Sequence, residues 1–347
     1  MENKLKKYIE NSQKILITSH ISPDSDAICS VLLLGRTLKV NYPDKQVFMS
    51  LEELADGLDF LTGFKQLEKL NLSSALKTHN PDLIFFVDVM NVERCTRKDA
   101  PAARKYLSLH PGVTQIIIDH HERVGVDKAA LYVNQGSPAT VQDVYEVCFD
   151  WLGLKKPKGY GEITMLGIIS DSQRFKYQNP RHRETFKLVS DLIDAGASIE
   201  QLESRLEHYD TDQMRVFGEL ATNIRSSRKG YSYSFISDEF TERWERKDRP
   251  PASFKSACEI FVNQFIRNFE NNQWGFIIYP DVVTGAGHYC VSLRSVGGVV
   301  DVSAIAAKLG GGGHKPATGA KIQVGNIEEA IEKVKTAIKS KSLILEP

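Results

Sequence analysis

The segment His20-Ile-Ser-Pro-Asp24-Ser-Asp26 places one imidazole and two carboxylates within seven residues. That donor set suits hard or borderline divalent cations such as Mn²⁺ or Mg²⁺. Asp88 closes the apolar run LIFFVD, where an unpaired carboxylate is costly to bury. Asp119, His120 and His121 follow three isoleucines, Ile116 to Ile118, and adjacent histidines at a strand end can face different ways, one toward a metal and one toward a substrate. Asp171 ends a further apolar stretch, in LGIISDSQRF. Each cluster alone also reads as a helix cap, a turn or a loop. Together they supply enough ligands for two cations about 3.5–4 Å apart, an arrangement that activates water and neutralises phosphoryl oxygens. Such chemistry needs no nucleophilic side chain, and Cys29 reads as packing.

Carboxylates and histidines at the ends of apolar segments call for strands that deliver them to one edge. KILITS (14–19), KQVFMS (45–50), LIFFVDV (83–89) and QIIIDH (115–120) read as buried strands, and Asp24 to Lys39 as a helix capped by Ser22 or Asp24. The alternation predicts an α/β domain with a mainly parallel sheet flanked by helices. Helical spacing continues through 141–151, 163–169, 186–193 and 199–206, and a further helix near 214–224 precedes new strands. The expected boundaries are 1–208 for the first domain, 209–229 for a helical connector and 230–347 for a smaller α+β domain. In the last, strands are expected at 231–237, 275–280, 288–295 and 317–324, and helices at 255–268, 302–309 and 327–339. ERKDRPP (245–251) reads as an exposed loop.

A chain of 347 residues is longer than single cores usually grow. No apolar run approaches the roughly 18–20 residues that span a bilayer, and the first residues lack the apolar core of a signal peptide, so a cytoplasmic location without membrane partners is expected. Five cysteines without a CxxC pair indicate neither a disulfide framework nor a thiolate zinc site. Forty-four basic residues balance 44 acidic ones, which argues against a partner as large as long duplex nucleic acid and leaves a small anionic substrate open.

HxxPDxD, VDV, DHHE and GIISD, in that order, resemble the successive motifs of the DHH phosphoesterase superfamily. SLRS (292–295) and GGGGH (310–314) resemble its associated DHHA1 domain. Carried over by position, the resemblance implies that His20 and Asp24 bind one ion, Asp26, His120 and Asp171 the other, and Asp88 both. Two Mn²⁺ ions are implied, with Mg²⁺ or Co²⁺ as substitutes. Asp119 then orients a histidine or the loop, and His121 faces the phosphate as hydrogen-bond donor or general acid. Arg294 offers a planar fork for phosphate, Ser292 and Ser295 offer hydroxyls beside it, and Gly311, Gly312, Gly313 and His314 offer close backbone approach. The chain departs from the pattern where Ser172-Gln173 replaces a common Thr-Gly, which bears on the loop after Asp171.

The compact two-domain layout most resembles the nanoRNase and 3′-phosphoadenosine 5′-phosphate phosphatase group. The expected substrates are dinucleotides to pentanucleotides such as pApA, cleaved to 5′-mononucleotides, with 3′-phosphate removal from 3′-phosphoadenosine 5′-phosphate as a reaction the same site can run. Exopolyphosphatase, pyrophosphatase or cyclic-dinucleotide phosphodiesterase activity is the alternative, and an idle nucleotide-binding regulator a third. A homodimer accords with the resemblance.

Overall fold

The computed structural model describes residues 1–339 apart from positions 124, 177, 207, 208, 248, 283 and 286. The chain divides into two compact units, Met1–Glu207 and His208–Pro347.

The first unit runs α1 (Glu2–Asn11), β1 (Lys14–Thr18), α2 (Ser25–Asn41), β2 (Gln46–Leu51), β3 (Glu68–Lys69), α3 (Leu72–His79), β4 (Leu83–Val87), α4 (Ala100–Leu109), β5 (Thr114–Ile118) and β6 (Leu131–Val133). Four helices follow: α5 (Thr140–Tyr145), continued by a π-helical turn over Glu146–Trp151, then α6 (Tyr160–Asp171), α7 (His182–Asp194) and α8 (Ile199–Leu206). Every pairing in its sheet is parallel, and the strand order is β3-β2-β1-β4-β5-β6.

Helices cover both faces of this sheet, which is why its central strands read as unbroken apolar runs rather than as alternation. Ile15, Ile17, Phe85, Val87, Ile116 and Ile118 join the large core that includes residues of α2, α5 and α6. Leu16, Ile84, Phe86 and Ile117 face the opposite core with Leu76 of α3 and Ala103 of α4. The expected strands are present with ends displaced by one or two residues. The lead-in before β1, read without an element, is α1, which buries Leu5 and Ile9.

The second unit runs α9 (Thr211–Thr222), β7 (Arg225–Ser227), β8 (Tyr231–Phe235), α10 (Asp238–Glu245), α11 (Pro251–Gln264), β9 (Trp274–Pro280), β10 (His288–Ser295), α12 (Val302–Lys308), β11 (Gly312–His314), β12 (Ala317–Gln323) and α13 (Ile327–Lys339). Its sheet has the order β11-β12-β10-β9-β8-β7, antiparallel except for the β8–β9 pair. One face packs on α12 and α13 through Phe276, Ile278, Ile305 and Val334. The other packs on α9 and α11 through Ile277, Val216, Leu220 and Phe261. The segment expected as a connector therefore contributes α9 to the second unit's core. ERKDRPP is shorter as a loop than expected, since α10 ends at Glu245 and α11 begins at Pro251; position 248 lies outside the described residues. Among the described residues no helix is long and apolar enough to cross a membrane.

Candidate metal centre

The strand order of the first sheet reverses between β1 and β4, and open parallel sheets bind ligands beyond the strand carboxyl ends at such a point. His20 follows β1, Asp88 follows β4, and Asp119 to His121 follow β5. Asp24 caps α2, its carboxylate accepting from the Ala27 N–H at 3.0 Å. Asp26 lies in the first turn of α2, and Asp171 is the last residue of α6. Gly167, one turn before Asp171, leaves room for this convergence: a Cβ there would stand 3.1 Å from Asp26 Oδ1 and collide with Val141.

Three sets of possible ligand atoms each fall within 4.8 Å of one another: His20, Asp24 and Asp88; Asp26, His120 and Asp171; Asp88, His120 and His121. All six residues expected to bind metal are thus brought together, with Asp88 common to two sets.

The hydrogen bonds fix which imidazole nitrogen faces inward. His20 Nδ1 lies 2.8 Å from the Ile21 carbonyl and His120 Nδ1 3.1 Å from the Ser137 carbonyl. Carbonyls only accept, so each Nδ1 carries the hydrogen and each ring turns its Nε2 to the centre. His20 Nε2 stands 3.3 Å from Asp88 Oδ2, and His120 Nε2 stands 3.3 Å from Asp171 Oδ2 and 3.8 Å from Asp88 Oδ1. Lone pairs facing carboxylate oxygens repel unless a proton or a cation lies between them.

The charges carry the same demand. Burial first, then Asp88, Asp171 and Asp24, push the Asp26 carboxyl well above its ordinary range. Burial raises Asp171 to about 6 although His120 opposes it. For Asp88 burial acts upward but His20, His120 and His121 outweigh it, and the carboxyl is held low. His20 is raised, because Asp88 outweighs the burial that opposes its charge. Four carboxylates with imidazole lone pairs among them fit divalent cations that accept oxygen and nitrogen.

Asp88 itself adopts φ +57°, a left-handed conformation that costs most side chains free energy and that Asp tolerates better than others. Such strain persists only where the surroundings over-determine it.

His121 differs from His120. Its Nδ1 and its backbone N–H both donate to Asp119 Oδ1 at 2.8 Å, and the two rings meet at 67°. Asp119 is fully buried, and its Oδ2 has no hydrogen-bond partner among the described residues. The bond to Asp119 raises the His121 imidazole to about 9 against the opposing effect of burial. His121 is also the more exposed ring, with 39% of its side chain accessible against 14% for His120.

Four residues at this centre went unremarked in the sequence. Thr140 links Asp26, Asp88 and His120. Behind His120, the Ser137 hydroxyl accepts from Arg181 at 2.7 Å, and Arg181 holds both carboxylate oxygens of Glu146 at 2.9 and 3.0 Å. The one local signal for Thr140 was a hydroxyl residue opening an apolar helical run; Arg181 and Glu146 meet only through tertiary folding.

In the second unit, β10 turns Ser292 and Arg294 to one face and Ser295 to the other. Arg294 Nε donates to Asn263 Oδ1 at 2.7 Å, tying the guanidinium to α11. Ser295 is buried, and its hydroxyl accepts from the Val300 N–H at 3.1 Å, so it holds the 296–300 turn. The end of the glycine run, with His314, forms the edge strand β11 against β12. A Cβ on Gly311 or Gly313 would collide with β12, whereas Gly312 faces open space and His314 is exposed.

The DHH family, N-terminal domain, matches residues 14–168, and the DHHA1 domain matches residues 253–340. The chain thus carries a DHH-family N-terminal domain and a DHHA1 domain. It is accordingly a metal-dependent phosphoesterase with a DHHA1 domain as its second unit. The bifunctional oligoribonuclease and PAP phosphatase NrnA of Bacillus subtilis is 24% identical over 324 residues, 93% of each chain. The cyclic-di-AMP phosphodiesterase PdeA of Listeria monocytogenes is 24% identical over 344 residues, and the match covers 96% of this chain but 48% of that one. An exopolyphosphatase-related protein from Bacteroides fragilis shares the fold, with a TM-score of 0.78, 22% identity and coverage of 97% of this chain and 95% of that one.

Proposed function

We propose that this DHH protein hydrolyses short oligoribonucleotides, from dinucleotides such as pApA to pentanucleotides, into 5′-mononucleotides, and that the same centre removes the 3′-phosphate of 3′-phosphoadenosine 5′-phosphate. The observation that carries this reading is the three overlapping sets of imidazole and carboxylate ligand atoms at the switch point of the sheet, linked to one another through Asp88 and His120. Relatives named for both activities match over about nine-tenths of their own length and of this chain, as for the B. subtilis protein and a Thermus thermophilus one that is 25% identical.

In this reading His20, Asp24 and Asp88 hold one Mn²⁺, and Asp26, His120 and Asp171 with Asp88 hold the second; Mg²⁺ or Co²⁺ can substitute. A bound pair lowers the pKa of water and offsets the charge of phosphoryl oxygens. Backbone carbonyls hold the Nδ1 hydrogens of His20 and His120, which leaves Nε2 of each ring as the atom that would bind a cation. His121, kept protonated by Asp119, gives a proton to the departing ribose 3′ oxygen. Both reactions break a bond between phosphorus and a 3′ oxygen, so one acid in one place serves both. Arg294, Gly311, Gly312, Gly313 and His314 contact the substrate, and Ser295 acts by holding the turn beside them. The active form is a cytoplasmic homodimer.

The Listeria relative favours a second reading, a cyclic-dinucleotide phosphodiesterase. Both are tested by product chromatography with Mn²⁺ on pApA, cyclic di-AMP, long RNA, 3′-phosphoadenosine 5′-phosphate, pyrophosphate and polyphosphate. AMP released fastest from pApA supports the proposal. Faster opening of cyclic di-AMP supports the second reading, and dominant phosphate release from pyrophosphate or polyphosphate defeats both.

A further inference from the structure

Thr140, the first residue of α5, is fully buried and belongs to neither ligand set. Its hydroxyl lies 2.9 Å from Asp88 Oδ1 and 3.3 Å from the backbone nitrogen of His120. An amide N–H can only donate, so a hydroxyl lone pair must receive it, and the single hydroxyl hydrogen is left for Asp88. The same residue's N–H donates to Asp26 Oδ2 at 2.6 Å, and the next one, of Val141, donates to Asp26 Oδ1 at 2.9 Å. The Thr140 hydroxyl thereby touches Asp88 and the peptide that carries His120, while the backbone of Thr140 and Val141 holds Asp26.

We infer that Thr140 is a positioning residue for the two-cation centre: its hydroxyl fixes the plane of the Asp88 carboxylate so that one oxygen faces each ligand set. The terminal torsion of an aspartate is broad and roughly two-fold, so the plane of the carboxylate is set by the groups that bond its oxygens. His20 Nε2 approaches Oδ2 at 3.3 Å, while the Thr140 hydroxyl at 2.9 Å, His121 Nδ1 at 3.5 Å and His120 Nε2 at 3.8 Å approach Oδ1. The hydroxyl hydrogen takes up one lone-pair direction of Oδ1 and leaves the other toward the second set. Because it also receives the His120 N–H, it couples the orientation of the bridging carboxylate to the position of His120. The inference rests on the two-cation reading above.

The test compares Thr140→Val, which keeps the shape and removes the hydroxyl, with Thr140→Ser, which keeps the hydroxyl. Mn²⁺ binding is measured by calorimetric titration, and the coupling of the two ions by electron paramagnetic resonance. Partners that orient metal ligands are worth roughly 10- to 100-fold in affinity. The expected result is two coupled ions on the wild-type chain and on Thr140→Ser, and a roughly 10- to 100-fold weaker second ion with an isolated-ion spectrum on Thr140→Val. Melting temperatures in EDTA separate loss of fold from loss of metal, and if Thr140→Val does not fold, Thr140→Ser alone decides. Two ions bound by Thr140→Val as tightly as by the wild type, or a Thr140→Ser protein that loses the second ion, overturns the role of Thr140. Fewer than two ions on the wild-type chain overturns the two-cation reading and this role with it.

Discussion

Asp119 Oδ1 accepts two hydrogen bonds from His121, one from the ring Nδ1 and one from the backbone nitrogen, each at 2.8 Å. A fully buried carboxylate that grips the next histidine but one along the chain sets both the direction and the charge of that ring. The raised value, about 9, keeps the imidazole protonated at neutral pH. A general acid is lost as pH rises through its pKa, so it limits the alkaline side of the rate profile. Asp119→Asn is expected to lower kcat and to move that alkaline limb toward lower pH, where an unperturbed histidine titrates near 6.5. Rate profiles of both proteins across pH 6 to 10 check it; an unmoved limb rules His121 out as the acid.

Asp88 offers the sharpest loss of activity. Asparagine tolerates the φ of +57° that alanine resists, so Asp88→Asn isolates the charge from the backbone. A ligand serving both cations leaves neither properly held when its charge is removed. Turnover of pApA below about 1% of wild type is expected, with the circular dichroism spectrum unchanged and the stabilisation by Mn²⁺ reduced. Activity above that level denies Asp88 its shared role.

Gln173 takes φ +49° in the turn after Asp171, a backbone conformation that favours glycine. The left-handed region costs an L-residue about 1–2 kcal/mol, against about 0.5–1 kcal/mol of extra chain entropy that glycine loses on folding. Gln173→Gly should therefore raise the melting temperature of the first unit by about 1–3 °C, and Gln173→Val, β-branched, should lower it. Differential scanning calorimetry distinguishes the two directions; a lower melting temperature for the glycine variant means the loop is held by the glutamine side chain instead.

That turn marks the edge of what the amino-acid sequence discloses. Strands buried on both faces write themselves as apolar runs, and the acidic and histidine residues that end those runs are conspicuous because an apolar strand gives them no other reason to be there. Hence Asp88 and the Asp119–His121 triplet could be read off, together with the sheet that aligns them. Thr140, Ser137, Arg181 and Glu146 could not, because ordinary polar residues acquire their roles only when β6, α5 and the start of α7 close around the β5 loop. Edge strands β3 and β6 are two and three residues long, too short for periodicity to register. In the glycine run, two residues answer to the close approach of β12, a constraint between strands that composition cannot announce.

Stability against pH should reveal whether cations are present. Asp171 and the buried Asp143 stand at about 6 in the fold, and Asp26 is raised well above its ordinary value of 3.8, all three chiefly by burial. A carboxyl raised on folding binds more protons folded than unfolded between those values, so stability falls as pH climbs from about 4 to 6. Asp88, held below 3.8, titrates under that window and does not reverse the slope within it. In EDTA the melting temperature should therefore drop across this range. Saturating Mn²⁺ replaces the missing protons at Asp26 and Asp171 and removes most of the slope, leaving the share of Asp143, whose carboxylate accepts from the Gln135 N–H at 3.1 Å and is in neither ligand set. Asp143→Asn in Mn²⁺ should flatten what remains. A slope in EDTA that Mn²⁺ leaves untouched means the carboxylates are not where the cations bind.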